Sequence, residues 1–197
     1  MKYIIAIIAV CVWLYLLRVT DRAKLPFWHF ILGAMGLFLL MMFLVRPVLT
    51  EPLARAVAAV AGLLGKVTGT FTPFFKYGIL FVQSDVGAIT LQIDFECSGI
   101  IEIMAFLSLL VFFRVYTVAE RVIVAICGVL YIMLANALRI IIICEMIHFG
   151  GLDLYYLSHA LVGRLVFYGL SVLLYFYVFT KPQIIRMRLG KFSYGDH

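Results

Sequence analysis

The sequence predicts an all-α integral membrane protein with five or six transmembrane helices, an external amphipathic helix and a short β-hairpin before Cys97. Of its 197 residues, 65% are hydrophobic and only 13% are charged, which is too little polar surface to cover a soluble protein. Most of its apolar runs approach or exceed the ~20 residues that a helix needs to cross a membrane. Its basic residues gather beside these runs, which argues against nucleic-acid binding.

Five apolar runs are candidate spans. They lie at about residues 3–17, 27–45, 97–113, 122–147 and 157–180. The first run follows a lysine, as in a signal peptide, but no small-residue cleavage site follows it, so we interpret it as a retained helix. Residues 1–182 are then a single transmembrane domain with its core at 60–180, and residues 183–197 form a basic tail.

Three basic clusters flank the runs and predict the orientation of the chain. They contain Arg18, Arg22 and Lys24, then Arg114 and Arg121, then Lys181, Arg186, Arg188 and Lys191. The positive-inside rule assigns all three clusters to the cytoplasm. We therefore expect a multi-pass plasma-membrane protein with an external N-terminus, a cytoplasmic C-terminus, and external segments at 46–96 and 148–158.

The segment 53–67 allows two interpretations. It is rich in alanine and leucine, with Arg55 and Lys66 near its ends, which fits either a sixth span or an amphipathic helix on the outer surface. We favour the surface helix, because another crossing would move residues 68–96 into the cytoplasm and disturb the charge pattern.

A β-hairpin is predicted directly before Cys97. Apolar and polar residues alternate over ITLQIDFE, residues 89–96, which is the period of a strand with one buried face. YGILFV, residues 77–82, precedes it across turn-forming residues. The alternation puts Asp94 and Glu96 on one face of the second strand, whose direction the sequence leaves open.

The cysteine spacing predicts neither a zinc site nor a disulfide framework. Cys11, Cys127 and Cys144 lie within apolar runs, where a thiol behaves as a small hydrophobic group. Only Cys97 lies at a boundary. We predict no metal and no organic cofactor.

Three side chains on different runs are predicted to lie at one depth. Counted from the cytoplasmic basic residues, Cys97 is 17 residues from Arg114, Arg139 is 18 from Arg121, and His159 is 22 from Lys181. A helical rise of ~1.5 Å per residue converts these counts to roughly 26, 27 and 33 Å. All three reach the external edge of a hydrocarbon core that is ~30 Å thick.

This combination of side chains suits acyl transfer. A cysteine attacks an acyl carbon as the thiolate, which a nearby imidazole and a helix N-terminus favour. His159 is the natural proton carrier. Arg139 stays protonated, and its fork of donors suits an oxyanion or a substrate carboxylate.

Other interpretations compete with this one. An interfacial cysteine is often only a small apolar residue, an arginine near a membrane face often extends to the headgroups, and a histidine at a helix start often caps it. A small transporter or channel in which Arg139, Glu102 and His159 line a polar path is the main alternative. A non-catalytic assembly subunit is a second, and it would make Cys97 dispensable.

Three motifs on successive runs resemble the exosortase and archaeosortase family of membrane cysteine transpeptidases. They are CSGI at 97–100, NALRI at 136–140 and HALVGRLVF at 159–167, and the similarity covers roughly residues 60–180. Their combination is the specific signal, since CSG alone would be weak. The compact form is most similar to the exosortase G branch.

The resemblance implies a reaction at the outer membrane face. Cys97 would be the nucleophile, with Arg139 and His159 completing the site. The implied partners are secreted proteins with a C-terminal sorting signal, made of a short motif, a transmembrane helix and a basic cluster. The enzyme would cleave near the motif, hold the protein as a thioester and transfer it to an acceptor, in contact with membrane lipids and without nucleic acid. The oligomeric state is left open.

Supporting roles are predicted for neighbours of the trio. Asn136 lies about one turn before Arg139 and could orient it or line a polar pocket. The Ser98 N–H could join an oxyanion hole, and Gly99 would let another chain approach closely.

Four further polar residues have weaker assignments. Glu102 lies five residues after Cys97 and Arg164 five residues after His159, and the two could form an interhelical ion pair. Glu145 and His148 could provide a substitute base at a flexible external rim.

Overall fold

A computed structural model of the chain describes residues 2–84, 87–93, 95 and 97–185. These residues form a mostly helical protein with one small sheet. The α-helices are α1 (Lys2–Arg22), α2 (Pro26–Leu44), α3 (Arg46–Thr68), α4 (Ile100–Phe112), α5 (Val118–Gly150) and α6 (Gly163–Tyr175). Two π-helical segments, Leu157–Val162 and Phe176–Thr180, extend α6 at its two ends. The predicted tail lies mostly outside the described residues.

Four helical segments of the described chain are long and apolar enough to cross a membrane. They are Pro26–Leu44, Arg46–Thr68, Val118–Leu154 and Leu157–Ile185. The chain is therefore a multi-pass membrane protein, as predicted, whereas the number of spans stays a prediction. α1 forms the helix expected at 3–17 and runs from Lys2 to Arg22.

α4 is shorter than the sequence predicted. The apolar run 97–113 suggested a full span, but its helix covers only Ile100–Phe112, 13 residues, or roughly 20 Å of helical rise. Cys97 lies in a turn before this helix. A depth count that assumes helix from Arg114 to Cys97 therefore does not hold over the turn at 97–99.

α3 is longer than the helix predicted at 53–67. It begins at Arg46, directly after α2, and is long and apolar enough to span a membrane, whereas we expected a surface helix. Its buried residues recur at helical spacing and are mostly small: Ala54, Val57, Ala58, Ala61, Gly62 and Gly65. A side chain at Gly62 or Gly65 would collide with Pro73 or Phe71, so α3 packs closely on the sheet.

The sheet contains the predicted hairpin and one strand that the sequence analysis missed. β2 (Ile79–Ser84) pairs antiparallel with β3 (Gly87–Gln92), and β1 (Phe71–Phe74) pairs with the other side of β2. Ile93 is buried and Thr90 and Gln92 are exposed, which confirms the alternation. Asp94 and Glu96 lie outside the described residues.

The basic clusters meet at the end of α4 that is remote from Cys97. Arg114 Nη2 donates to Asp21 Oδ1 at 3.0 Å, which joins the end of α1 to the loop after α4. The Tyr116 hydroxyl donates to the Val178 carbonyl at 2.6 Å, which joins the loop after α4 to the end of the last helix. The first two clusters and Lys181 of the third therefore share one side of the protein, whereas Arg186, Arg188 and Lys191 lie outside the described residues.

Candidate active site

Cys97 lies in a tight turn between the sheet and α4. Gly99 ends the turn with φ 78°, a left-handed conformation that glycine adopts without strain. A Cβ there would lie 3.4 Å from the Asn136 side chain, an ordinary contact distance, so the backbone angle and not the space favours glycine here; the close approach of another chain stays a prediction. The Ser98 hydroxyl donates to the Phe95 carbonyl at 3.0 Å and accepts from the Ile100 N–H at 3.4 Å.

These contacts give Ser98 a structural role through its side chain. The hydroxyl satisfies one of the free N–H groups at the start of α4. The role predicted for the Ser98 N–H in an oxyanion hole stays a prediction.

Asn136 and Arg139 are presented by the long helix α5. A capping box of Thr117 and Glu120 starts this helix. Asn136 is fully buried, and its Nδ2 donates to the Cys97 carbonyl at 2.7 Å. Asn136 therefore holds the cysteine turn, whereas we expected it to orient Arg139 or line a pocket.

His159 makes a direct polar contact with the thiol. The distance from Cys97 Sγ to His159 Nε2 is 3.2 Å, which is within hydrogen-bonding range for sulfur. His159 lies in the π-helical segment before α6, a widened helical turn of the kind often found at functional sites. The Tyr155 ring stacks on the imidazole, with centroids 5.8 Å apart and planes 7° from parallel.

Arg139 approaches the thiol from the opposite helix. Its Nη2 lies 4.0 Å from Cys97 Sγ, and its guanidinium lies 5.8 Å from the centre of the Phe167 ring. Only 5% of the residue is exposed, and its Nε has no hydrogen-bond partner. Within the described chain no carboxylate lies in salt-bridge range of this arginine. The structure thus brings together the three side chains that the sequence selected.

A small cavity of about 70 Å³ adjoins the thiol. Cys97, His159 and Tyr155 line it on one side, and Thr90 and Gln92 of β3 line it on another. Tyr155 and the β3 residues were missed by the sequence analysis. The spacing of Tyr155 and His159, four residues apart on a helix, was a signal that could have identified the first of them.

The weaker assignments are corrected by the structure. Arg164 is exposed, and Glu102 forms no ion pair with it; Glu102 instead lies within the electrostatic range of Arg139.

Glu145 and His148 contact the sheet and not the thiol. Glu145 Oε1 accepts from the Thr70 hydroxyl at 2.8 Å. His148 bonds the Gln83 carbonyl. Both residues therefore join α5 to the sheet, and neither is a substitute base in this arrangement.

Comparison with known proteins gives one family match. The family model described as transmembrane exosortase matches residues 2–177. No curated protein and no solved structure matches the chain. The match does not separate branches, so the similarity to the exosortase G branch stays a prediction.

Proposed function

This chain belongs to the transmembrane exosortase family, and we propose that it acts as a membrane-embedded cysteine transpeptidase or protease. The observation that carries the proposal is the 3.2 Å contact between Cys97 Sγ and His159 Nε2. It pairs a nucleophile with a base, and Arg139 adds a positive charge beside them. The transporter alternative requires polar residues spread along a path, whereas Arg139 and His159 both approach Cys97.

The first step forms a thioester. His159 Nε2 accepts the thiol proton, and the Cys97 sulfur attacks the carbonyl carbon of a peptide bond. The carbonyl oxygen becomes an oxyanion in the tetrahedral intermediate. When the C–N bond breaks, the imidazolium returns its proton to the departing amine. The amine leaves with the C-terminal part of the substrate, and the N-terminal part stays on Cys97.

Arg139 is the proposed stabiliser of the oxyanion. Its guanidinium is buried, carries a free Nε donor and lies beside the sulfur. A donor fixed in a dry site before the reaction stabilises developing charge more than a mobile one in water does. Asn136 positions the nucleophile by holding the Cys97 carbonyl.

The second step transfers the acyl group to an acceptor. The acceptor nucleophile gives its proton to His159 and attacks the thioester, and the Cys97 sulfur leaves. We propose that the substrate is a secreted protein with a C-terminal sorting signal. We also propose that the site faces the extracytoplasmic side. The location of the basic clusters at the other end of α4 supports this orientation.

The test compares two buried cysteines in living cells. Cys97→Ala and the control Cys144→Ala are produced at matched levels in cells that lack the natural chain, and the masses of secreted and surface proteins are measured. We expect at least one protein to keep its C-terminal signal with Cys97→Ala and to lose it normally with Cys144→Ala. Normal processing in both variants would reject the enzymatic function.

A further inference from the structure

β3 is an edge strand of the sheet. The strand order is β1-β2-β3, and across the part of the chain that the structure describes no further strand pairs with β3. One face of β1 packs against α3, where Pro73 would meet any side chain at Gly62. Because no described strand pairs with the outer side of β3, this edge is open and offers unpaired backbone N–H and C=O groups.

The register of the hairpin shows which backbone groups face outward. The Ile93 N–H donates to the Gly78 carbonyl at 2.9 Å, and Leu80 stands opposite Leu91. Because antiparallel pairing alternates, residues 89, 91 and 93 bond to β2. The N–H and C=O groups of Thr90 and Gln92 therefore point away from β2, towards the open edge.

This open edge leads into the catalytic cavity. Thr90 and Gln92 line the cavity that also contains Cys97 and His159. Both residues are exposed, whereas Ile93 next to them is buried. Residues with outward-facing backbone groups thus border the same cavity as Cys97.

We propose that the substrate docks as an added β-strand on β3, through backbone hydrogen bonds to Thr90 and Gln92, with its scissile bond beside Cys97. The occupant is an extended polypeptide, because donors and acceptors that recur every second residue, ~6.8 Å apart, match another extended backbone. This inference rests on the proposed function.

Strand addition explains how a membrane-anchored substrate becomes cleavable. The backbone groups of a transmembrane helix are already paired within the helix, so a helical segment cannot bond β3. The bonded segment must lie outside the hydrocarbon, ahead of the substrate's membrane helix. Recognition through the main chain also leaves specificity to a few side chains near Tyr155 and His159.

Proline substitutions test the docking strand. Thr90→Pro and Gln92→Pro each remove one outward-facing N–H without removing a bond to β2, and proline is tolerated at such edge positions. Ala88→Pro is the matched control, since its N–H faces the same edge but precedes the stretch that lines the cavity.

The readout is the processing rate of the secreted protein whose signal is retained in Cys97→Ala cells. We expect Thr90→Pro and Gln92→Pro to lower this rate about tenfold, because each loses one backbone hydrogen bond to the substrate and the substrate strand then pairs less well with β3. Ala88→Pro should stay within about twofold. Alkylation of Cys97 by iodoacetamide, read on its own peptide by mass spectrometry, should be unchanged in all three variants, which shows that the site is intact.

Each outcome decides a different claim. Wild-type processing by Thr90→Pro and Gln92→Pro overturns the docking strand and leaves the enzymatic function standing. A tenfold loss in Ala88→Pro as well, or altered alkylation of Cys97, also overturns it, because the effect would then be structural. If no protein depends on Cys97, the proposed function fails and the docking strand fails with it.

Discussion

Cys97 and Cys144 belong to one apolar cluster formed by the sheet, α3 and α5, with 5% and 0% of their surfaces exposed. Their polar surroundings differ. Cys97 contacts His159 and Arg139, and its carbonyl accepts from Asn136. No residue that the structure describes forms a hydrogen bond with Cys144. Burial therefore does not distinguish the two thiols, whereas the side chains of Arg139 and His159 beside Cys97 do.

The largest effect is expected from removing the His159 imidazole, because the surroundings of Cys97 would then be most like those of Cys144. We expect His159→Ala to slow processing about 10²–10⁴-fold, the usual effect of losing a general base. His29→Ala is the control, since the His29 imidazole lies in α2 and forms a hydrogen bond with the Thr20 hydroxyl of α1. Processing is followed as the mass shift of the Cys97-dependent protein. An equal loss in both variants would mean that His159 acts only through folding.

Replacing the Arg139 guanidinium with an ammonium group should have the next largest effect. Arg139→Lys keeps the charge but loses the planar fork of donors, so we expect processing to fall about 10–100-fold for a weakened oxyanion site. Arg164→Lys, at an exposed position on α6, should leave the rate unchanged. Full activity of Arg139→Lys would show that charge alone suffices.

The cysteine turn offers a stability test. Asn136→Leu keeps the volume of the side chain but leaves the Cys97 carbonyl without its 2.7 Å donor. We expect the free energy of unfolding to fall by about 1–2 kcal/mol, measured in detergent by denaturation. An unchanged stability would show that the turn holds without this bond.

The smallest effect is expected at Tyr155. Tyr155→Phe keeps the ring that stacks on His159 and should process within about twofold of wild type. Tyr155→Leu removes the stack, worth about 0.5–1.5 kcal/mol, and should slow processing several-fold. If Phe is as damaging as Leu, the hydroxyl matters and the stacking explanation is wrong.

The sequence predicted the elements that depend on local pattern. Alternation of apolar and polar residues identified the hairpin, and apolar runs identified the long helices. The free-energy cost of placing ionisable side chains in a membrane singled out Arg139 and His159. Depth counting selected them together with Cys97, although α4 has only 13 residues. The three side chains meet because Cys97 precedes α4, His159 precedes α6, and Arg139 lies within α5 beside the thiol.

The features that the sequence could not predict depend on contacts between distant segments. β1 contains Pro73 and has only 4 residues, so it lacks a strand signal and forms by pairing with β2. The start of α3 at Arg46 and the π-helical segment around His159 likewise follow from packing against neighbours. The hydrogen bond of Asn136 is another such feature. Helical spacing places Asn136 near Arg139, whereas its side chain donates to the Cys97 carbonyl in the turn before α4.

The central claim is that His159 activates Cys97, and site-resolved alkylation measures this most directly. Iodoacetamide is added to the purified protein in detergent at neutral pH, and the rates at Cys97 and Cys144 are read from their separate peptides, in the wild type and in His159→Ala. We predict that Cys97 reacts faster than Cys144, and that His159→Ala slows Cys97 at least about tenfold without changing Cys144. Equal rates at the two cysteines, or a Cys97 rate that is indifferent to His159, would contradict the account.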